Sequence, residues 1–486
     1  VQQAAYDLIE SDEKQAVHLK IGRLLWQKTQ PEQLADEIFK IVDHLNGGVL
    51  DLLTETDCRK ELDELAKLNL IAGKKAKSAT AYMAAIAYLT LARSLLASNA
   101  WDTQYNLTLE IYLEAVEATY LSGDFQQMNS LAETVLQQAK TLLDKVKVYE
   151  IKIQAYKTQN QLLEAIKIGL QVSEQLGVSF PELPTDRDVQ QFLAETAALV
   201  PKTGIDDLIN LPKMTDISVR AALSILAKIN PATYITSQPL FLLVVLAQVN
   251  LSIKCGNAPE SAVAYASYGQ ILNGIFQEIE SASQLGDLAL NLATKFNDKT
   301  IKAKTLFIVS TFILYVKKHI REAASLLLEA YLLGIETGKF DFASYSAKEK
   351  CQYAYWMGQP LTELEAEMAT YSQVIKNFKQ GIPLMSLQIF HQAVLNLLVK
   401  TENPCQLVGE AFNESDSLPL LIKSNYRTAI FNFYLNKLIL CYLFNEHGQG
   451  LQNAELAKLY LDGVTGNIVV PVYYFYDSMV RLAVYV

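Results

Sequence analysis

The chain has 486 residues, half of them hydrophobic, with only 21 glycines and 13 prolines. That is more than one core organises, burial is easy, and a disordered or turn-rich β architecture is excluded. The 42 Lys+Arg against 52 Asp+Glu give a formal charge of −10, which argues against a phosphate-binding surface or an anionic membrane patch, so neither nucleic acid nor membrane insertion is expected.

The first informative stretch is "AGKKAKSATAYMAAIAYLTLA", from Ala72 to Ala92. Gly73, Ala76, Tyr82, Ala85 and Ala92 fall at offsets 0, 3, 9, 12 and 19, the offsets of the small and aromatic positions in a tetratricopeptide-type helical hairpin. The helix after Thr80 is apolar nearly all round, which predicts burial on all sides. Lys74, Lys75 and Lys77 read as a solvated helix end whose cations suit the negative end of the dipole.

A second copy is "EAVEATYLSGDFQQMNSLAETVLQQA", with Gly123 and Phe125 at the turn and Met128, Ala132 and Val135 on the second helix. A third carries Ile153, Tyr156, Asn160, Leu162 and Ala165. Ala85, Met128 and Ala165 recur at roughly 40 residues, longer than the usual repeat. "LGVSFPELPTD" (Leu176–Asp186) ends this group, and "LINLPKM" and "KINPATYITSQPL" punctuate a short helix or two. The resulting organisation is residues 1–184, N-terminal tetratricopeptide-like repeats; 185–239, a helical linker with proline-containing loops; and 240–486, C-terminal repeats.

"LFLLVVLA" (Leu240–Ala247) reads as a buried helix, too short for a bilayer. A weaker fourth copy has Gly256–Asn257 at its turn and Ser261, Tyr265 and Tyr268 after it. Further hairpins follow, including "REAASLLLEAYLLGIETGKF" and "DFASYSAKEKCQYAYWMG". In the latter, Tyr353 and Trp356 are candidate partner contacts if part of the tyrosine-rich set lines a groove. "TENPCQLVGEAFNESDSLPL" is loop-rich. In "NYRTAIFNFYLNKLILCYLF", Arg427, Asn432, Asn436 and Lys437 punctuate an apolar helix, with Asn432 and Asn436 one turn apart. They read either as an inter-helix hydrogen-bond network or as the floor of a ligand or partner site. At the end of the chain, Val472, Phe475, Tyr476, Met479, Leu482, Ala483 and Val486 recur at helical spacing, an apolar face that predicts self-association. Because the chain starts at Val1 and stops inside this pattern, it is expected to be a piece of something longer.

Together these elements predict an all-α fold of about twenty helices, an α-solenoid coiled as a right-handed superhelix of tetratricopeptide-like hairpins. Catalytic signatures are missing. "GIETGKF" at Gly334 has the wrong spacing for a P-loop and no Ser/Thr after its lysine. No GxGxxG follows a strand, and the kinase, HExxH, GxSxG and EF-hand patterns do not occur. The five histidines are isolated, and His391 reads as a hydrogen-bonded helix residue. The cysteines at 58, 255, 351, 405 and 441 lack metal or redox spacing and read as buried free thiols of a reducing, cytoplasmic compartment. No catalytic residue, metal or cofactor is expected, and the chain itself is not expected to be an enzyme.

The stretches "LNLIAGKKAKSATAY", "LLDKVKVYEIKIQAYKTQNQLLEAI", "NYRTAIFNFYLNKLILCYLF" and "VTGNIVVPVYYFYDSMVRLA" resemble the central region of bacterial multi-sensor signal transduction multi-kinases. Those proteins combine a serine/threonine kinase, an AAA-type STAND-like ATPase, a tetratricopeptide-like helical region, a GAF sensor and a histidine kinase. The resemblance covers essentially the whole chain and carries over no catalytic residue. It implies a regulatory scaffold region whose partners are the flanking kinase and ATPase domains or another protein. The alternative is an effector-binding sensor that takes a small molecule in the concave groove of the solenoid.

Overall fold

A computed structural model describes residues 11–55, 58–202, 204–400 and 402–485. It divides into two compact units, residues 1–155 and 156–486. Every regular element among the described residues is helical; two isolated bridges, Lys213–Asn257 and Val408–Asn413, are the extended pairings found there.

The first unit contains α1 (Ser11–Lys28), α2 (Leu34–Gly47), α3 (Val49–Thr54), α4 (Arg59–Ser78), α5 (Tyr82–Leu95), α6 (Ala100–Thr103), α7 (Tyr105–Ser122), α8 (Phe125–Gln138) and most of α9 (Leu142–Thr158). Here α1 packs on α2, α2 on α4, α4 on α5, α5 on α7 and α7 on α8. The second unit holds the end of α9, then α10 (Leu162–Gln175), α11 (Asp186–Leu199), α12 (Ile217–Thr236), α13 (Gln238–Cys255), α14 (Pro259–Ile271), α15 (Ile279–Phe296) and α16 (Lys299–Phe312). It continues with α17 (Ile320–Glu336), α18 (Phe340–Trp356), α19 (Leu361–Asn377), α20 (Gly381–Leu398), α21 (Glu414–Lys423), α22 (Arg427–Leu443), α23 (His447–Lys458) and α24 (Val469–Tyr485). From α12 to α20 each helix packs on the next, as do α21 to α24 in turn, and alternate helices α12, α14, α16, α18, α20 and α22 also pack in sequence; α12 in addition touches α22.

Local chemistry sets the hairpin turns. Gly123 closes α7 at φ +85°, where a side chain would be strained, and Asp124 donates its N–H to Thr119 O (3.0 Å) and caps α8 by accepting from Gln127 N at 2.9 Å. The same device recurs with asparagine. Asn160 (φ +58°) precedes α10, and Asn297 (φ +53°) precedes Asp298, which caps α16 by accepting from Thr300 N and Ile301 N. Asparagine tolerates the left-handed region that these turns need.

Two local expectations change, and a third is placed more finely. The helix from Tyr82 to Leu95 is not enclosed: it buries one stripe, Ala85, Leu89, Ala92 and Leu95, and exposes Met83, Ala84 and Ala87. Alanine is tolerated in water, so an alanine-rich helix looks more buried in sequence than it is. The helices enclosed on nearly all sides are α13 and α14, in the second unit. The lysines after Gly73 are not merely solvated. Lys74 pairs with Glu110, Lys75 donates to Ala35 O (2.6 Å), and Lys77 bridges Glu114 (2.5 Å) and Glu117 (2.6 Å). Within "KINPATYITSQPL" the break falls at Ser237, as the punctuation of that stretch predicts, while α12 runs straight through Pro231. Buried Ile225, Ile229, Ala232 and Ile235 lie on both sides of it, and their packing offsets a lost backbone hydrogen bond and ring clash of about 3 kcal/mol.

Two helices, Gln238–Cys255 and Gly381–Leu398, are long and apolar enough to cross a membrane, and both are largely buried within the second unit. The cysteines are unpaired: Cys351, Cys405 and Cys441 are buried, Cys58 is half-buried and Cys255 is exposed. On α24 the buried stripe is Val469, Tyr473 and Val480. Of the face expected there, Phe475 and Leu482 are exposed, while Val472, Tyr476, Met479 and Ala483 are half-buried. Val486 lies outside the described residues.

Two stability tests follow from this packing. Ala85 and Ala165 have no accessible surface, so Ala85→Leu and Ala165→Leu should each destabilise by about 1–3 kcal/mol through overpacking, read from urea unfolding; Ala84→Leu, at an exposed site, should stay within about 0.5 kcal/mol. Glu117 accepts from Lys77 and Lys147, and although burial opposes ionisation, these two ammoniums hold its carboxyl down at about 2. A carboxyl depressed in the folded state contributes stability above its unfolded value, which is lost as the pH falls from about 4.5 to 2. Glu117→Gln should therefore cost about 1–2 kcal/mol at pH 7, and the gap to wild type should close by pH 2.

Candidate functional site

The polar side chains of the second unit converge on one short segment, "LDGVTGN" (Leu461–Asn467), between α23 and α24. Leu461–Val464 makes a single 3₁₀ turn, and Gly463–Asn467 is buried. A buried irregular backbone must satisfy its carbonyls without a helix ladder. Here side chains from separate elements supply the donors. Thr428 Oγ1 on α22 donates to Gly463 O at 2.6 Å. Tyr234 OH on α12 and Gln270 Nε2 on α14 both approach Thr465 O at 3.4 Å, and Gln238 Nε2 on α13 donates to Thr465 Oγ1 at 3.0 Å. Tyr315 OH, in the turn after α16, donates to Gly466 O at 3.0 Å. Gln352 Nε2 on α18 donates to Asn467 Oδ1 at 3.2 Å, and the same oxygen accepts from Val469 N at 3.1 Å, which starts α24.

Two glycines permit the approach. Gly466 sits at φ +76°, and a Cβ on Gly274, in the π-turn after α14, would lie 2.4 Å from Gly466 N. The backbones touch there, with no space for a methyl group.

The candidate residues named from sequence are placed as follows. Arg427 anchors the start of the segment: its Nε (3.0 Å) and Nη2 (2.5 Å) donate to Asp462 Oδ1, Nη2 also donates to Leu459 O at 2.6 Å, and the guanidinium lies 4.9 Å from the Tyr460 ring centroid. Asn432 and Asn436 are buried on α22; Asn436 Nδ2 donates to Asn432 O at 2.8 Å, and both Oδ1 atoms lack a hydrogen-bond partner. Lys437 faces elsewhere. Its Nζ pairs with Glu414 (2.9 and 3.0 Å) and lies 5.3 Å from the Phe433 centroid, tying α22 to the start of α21. Tyr353 is fully buried and donates to Ser310 O (3.0 Å) and Thr311 O (3.1 Å); burial pushes its phenol well above its ordinary value. Trp356 packs edge-on against Phe390, 6.0 Å between centroids, and its Nε1 has no partner. His391 reaches Glu365 at 3.2 Å.

Tyr234, Gln238, Gln270, Tyr315, Gln352 and Thr465 were not legible as site residues. The available signal was an amide between apolar or aromatic neighbours, as at Gln270 and Gln352, both nearly fully buried. Such a group must find a partner, but the sequence does not say where.

The chemistry of the site favours holding polypeptide or neutral polar groups. Its donors are amides, phenols and the Thr428 hydroxyl, and burial raises the Tyr234 and Tyr315 phenols, so they stay protonated. Beside them lies a buried ion pair, Lys348–Glu349 (2.7 Å), whose second carboxylate oxygen has no partner. The nearest nucleophile in sequence, the Cys351 thiol, is pushed far up by burial and is inert at neutral pH. Among the described residues no group of three His, Cys, Asp or Glu side chains could hold a metal ion.

No known family profile matches the chain. A "Hybrid signal transduction histidine kinase G" from Dictyostelium discoideum is 24% identical over 421 residues, covering 78% of this chain. The chain spans about an eighth of that relative's length, the matched share being 12%. The likeness links the chain to signal-transduction kinases; the bacterial source implied by the sequence resemblance finds no counterpart, since this relative is not bacterial.

The contact between Gly274 and Gly466 gives the site its most direct test. Gly274→Ala should force the two backbones apart, cost about 1–3 kcal/mol, and speed amide exchange at Thr465–Asn467 more than elsewhere in the second unit. Unchanged exchange in that segment would show that its anchoring does not depend on the close approach.

Proposed function

We propose that this chain is a non-catalytic, tetratricopeptide-like helical repeat region of a larger signalling kinase, in which it holds other protein segments and so controls flanking kinase and ATPase domains. The alternate-helix packing from α12 to α22 supports this reading, in which hairpins stack and line a concave inner face. The observation that carries the reading is the cradle around Leu461–Asn467. Six elements present donors to this irregular segment, four to its backbone carbonyls and two to its side-chain oxygens, which supports a surface that takes a peptide. In this reading the segment is a resident occupant of the groove, and neighbouring domains engage the same surface or its continuation. Binding would favour one curvature of the stack and bias the attached domains. The unpaired cysteines accord with a cytoplasmic location.

The test is a titration of this chain with the separately expressed catalytic regions of its parent protein. Binding at about micromolar strength is expected, weakened by Gln270→Ala together with Gln352→Ala. No heat and no complex by analytical ultracentrifugation at about 100 μM would sink the scaffold reading.

A second reading, an effector sensor, is favoured by the buried atoms left without partners: Asn432 Oδ1, Asn436 Oδ1, Gln352 Oε1 and Trp356 Nε1. A small polar molecule satisfying several of them would raise the melting temperature by mass action, so a metabolite screen by thermal shift separates the two.

A further inference from the structure

The histidines are isolated in sequence, but the fold of the first unit brings two of them together. His18 lies on α1 and His44 in the last turn of α2. Their Nδ1 atoms are 2.9 Å apart, with ring centroids 4.9 Å apart and planes inclined at 36°. Both rings are half-buried. A nitrogen–nitrogen contact of this length is a hydrogen bond, and it has a strict requirement: one Nδ1 carries a proton and the other offers its lone pair. The bond survives with both rings neutral or with one protonated. With both protonated, two N–H groups and two positive charges face each other.

On an open surface such a pair would simply swing apart. Here the helices touch on either side of His18. A Cβ on Gly22 would lie 2.6 Å from Leu45 Cδ2 and 2.9 Å from Leu45 N, and one on Gly48 would lie 2.7 Å from Gln15 O and 2.6 Å from Leu19 Cβ. Gly47 leaves no more room, since its Cβ would lie 3.2 Å from His18 Cγ and Nδ1. Close packing of this kind is not continuously deformable. Repulsion between the rings is therefore passed to the helices that carry them.

We propose that the His18–His44 pair is a pH-sensitive latch, which holds the first half of α1 on α2 at neutral pH and releases it when the second imidazole of the pair is protonated. The latch belongs to the first unit and the Leu461–Asn467 cradle to the second, so it stands or falls independently of the scaffold reading.

The charged groups that act on His44 are His18 from α1 and Asp43 on its own helix. Asp43 Oδ1 accepts from Tyr88 OH on α5 at 2.8 Å. Lys40, one turn before His44, rests on Glu37 at 2.7 Å, and Lys14 stands one turn before His18. From α4 the neighbour at this end of α2 is a neutral amide, Asn69, which exchanges two hydrogen bonds of 2.9 Å with Asn46. The carboxyl end of α2 accommodates one cation, not two. Burial first, and then the charge of His18, lower the His44 imidazole from its ordinary 6.5, against the pull of Asp43. The folded pair thus binds fewer protons than the released one just below pH 6.5, so docking is complete at neutrality and weakens as the pH falls. The other tie of α1 persists there: Arg23 holds Glu55 (2.7 Å) and Glu61 (2.6 Å), and it keeps the Glu55 carboxyl below its ordinary value.

The test is amide exchange of the whole chain between pH 7.5 and 5.5, corrected for the intrinsic dependence of exchange on pH. Release linked to one proton lowers protection by up to about tenfold per pH unit, so residues 16–21 should lose about tenfold between pH 6.5 and 5.5 while α4 and α5 change less than about twofold. His18→Gln and His44→Gln keep a donor and an acceptor but take no proton, and each should abolish the step. Glu55→Gln should lower the protection of α1 at every pH and leave the step in place. Should both glutamine variants fail to fold, wild-type protein with isotope-labelled histidines decides: two rings that titrate in two steps, the lower coinciding with the loss of protection, support the latch, and titration unrelated to that loss overturns it. Flat protection of residues 16–21 in the wild type overturns it outright, and so does a step that survives in both folded variants.

Discussion

The carbonyls of Thr465 and Gly466 are buried without a helix to satisfy them, and much of the second unit is arranged around that constraint. A buried carbonyl with no donor costs a few kcal/mol. Tyr234, Gln270 and Tyr315 come from three separate elements, 231, 195 and 151 residues before the oxygens they meet, yet all point at these two carbonyls. Their convergence requires that the alternate helices stack so that one face of each looks inward, and the contact of α12 with α22 accords with it. The bare glycine pair, Gly274 and Gly466, allows the backbone to come close enough.

The same economy of space recurs in the hairpins. Ala85, Ala132 and Ala165 are fully enclosed, so neighbouring helices approach closely, and turns with a left-handed Gly or Asn followed by a cap reverse the chain in two or three residues. These are local devices, repeated, and they account for the succession of antiparallel helices without long-range information. Ion pairs between helices, such as Lys77 with Glu114 and Glu117, then add orientation more than stability, as partly exposed pairs do.

The cradle around Leu461–Asn467 offers neutral donors, four of them to backbone carbonyls and two to side-chain oxygens. The chain that builds it is similar over most of its length to a short part of a much longer histidine kinase.

The sequence by itself determined the helical class, the places where Gly123 and Asn160 turn the chain, and the polar oddity of the helix Arg427–Leu443, because these follow from local propensity and periodicity. It also indicated that Arg427 and Asn436 were unusual. It misjudged Tyr82–Leu95, since alanine carries little information about burial. Only the tertiary structure decided that Tyr234, Gln270, Tyr315 and Gln352 meet on one segment, Thr465–Asn467. The reason is physical: a buried amide or phenol declares a need for a partner, but the partner lies more than a hundred residues away, and only the packing of whole helices brings it within hydrogen-bond distance.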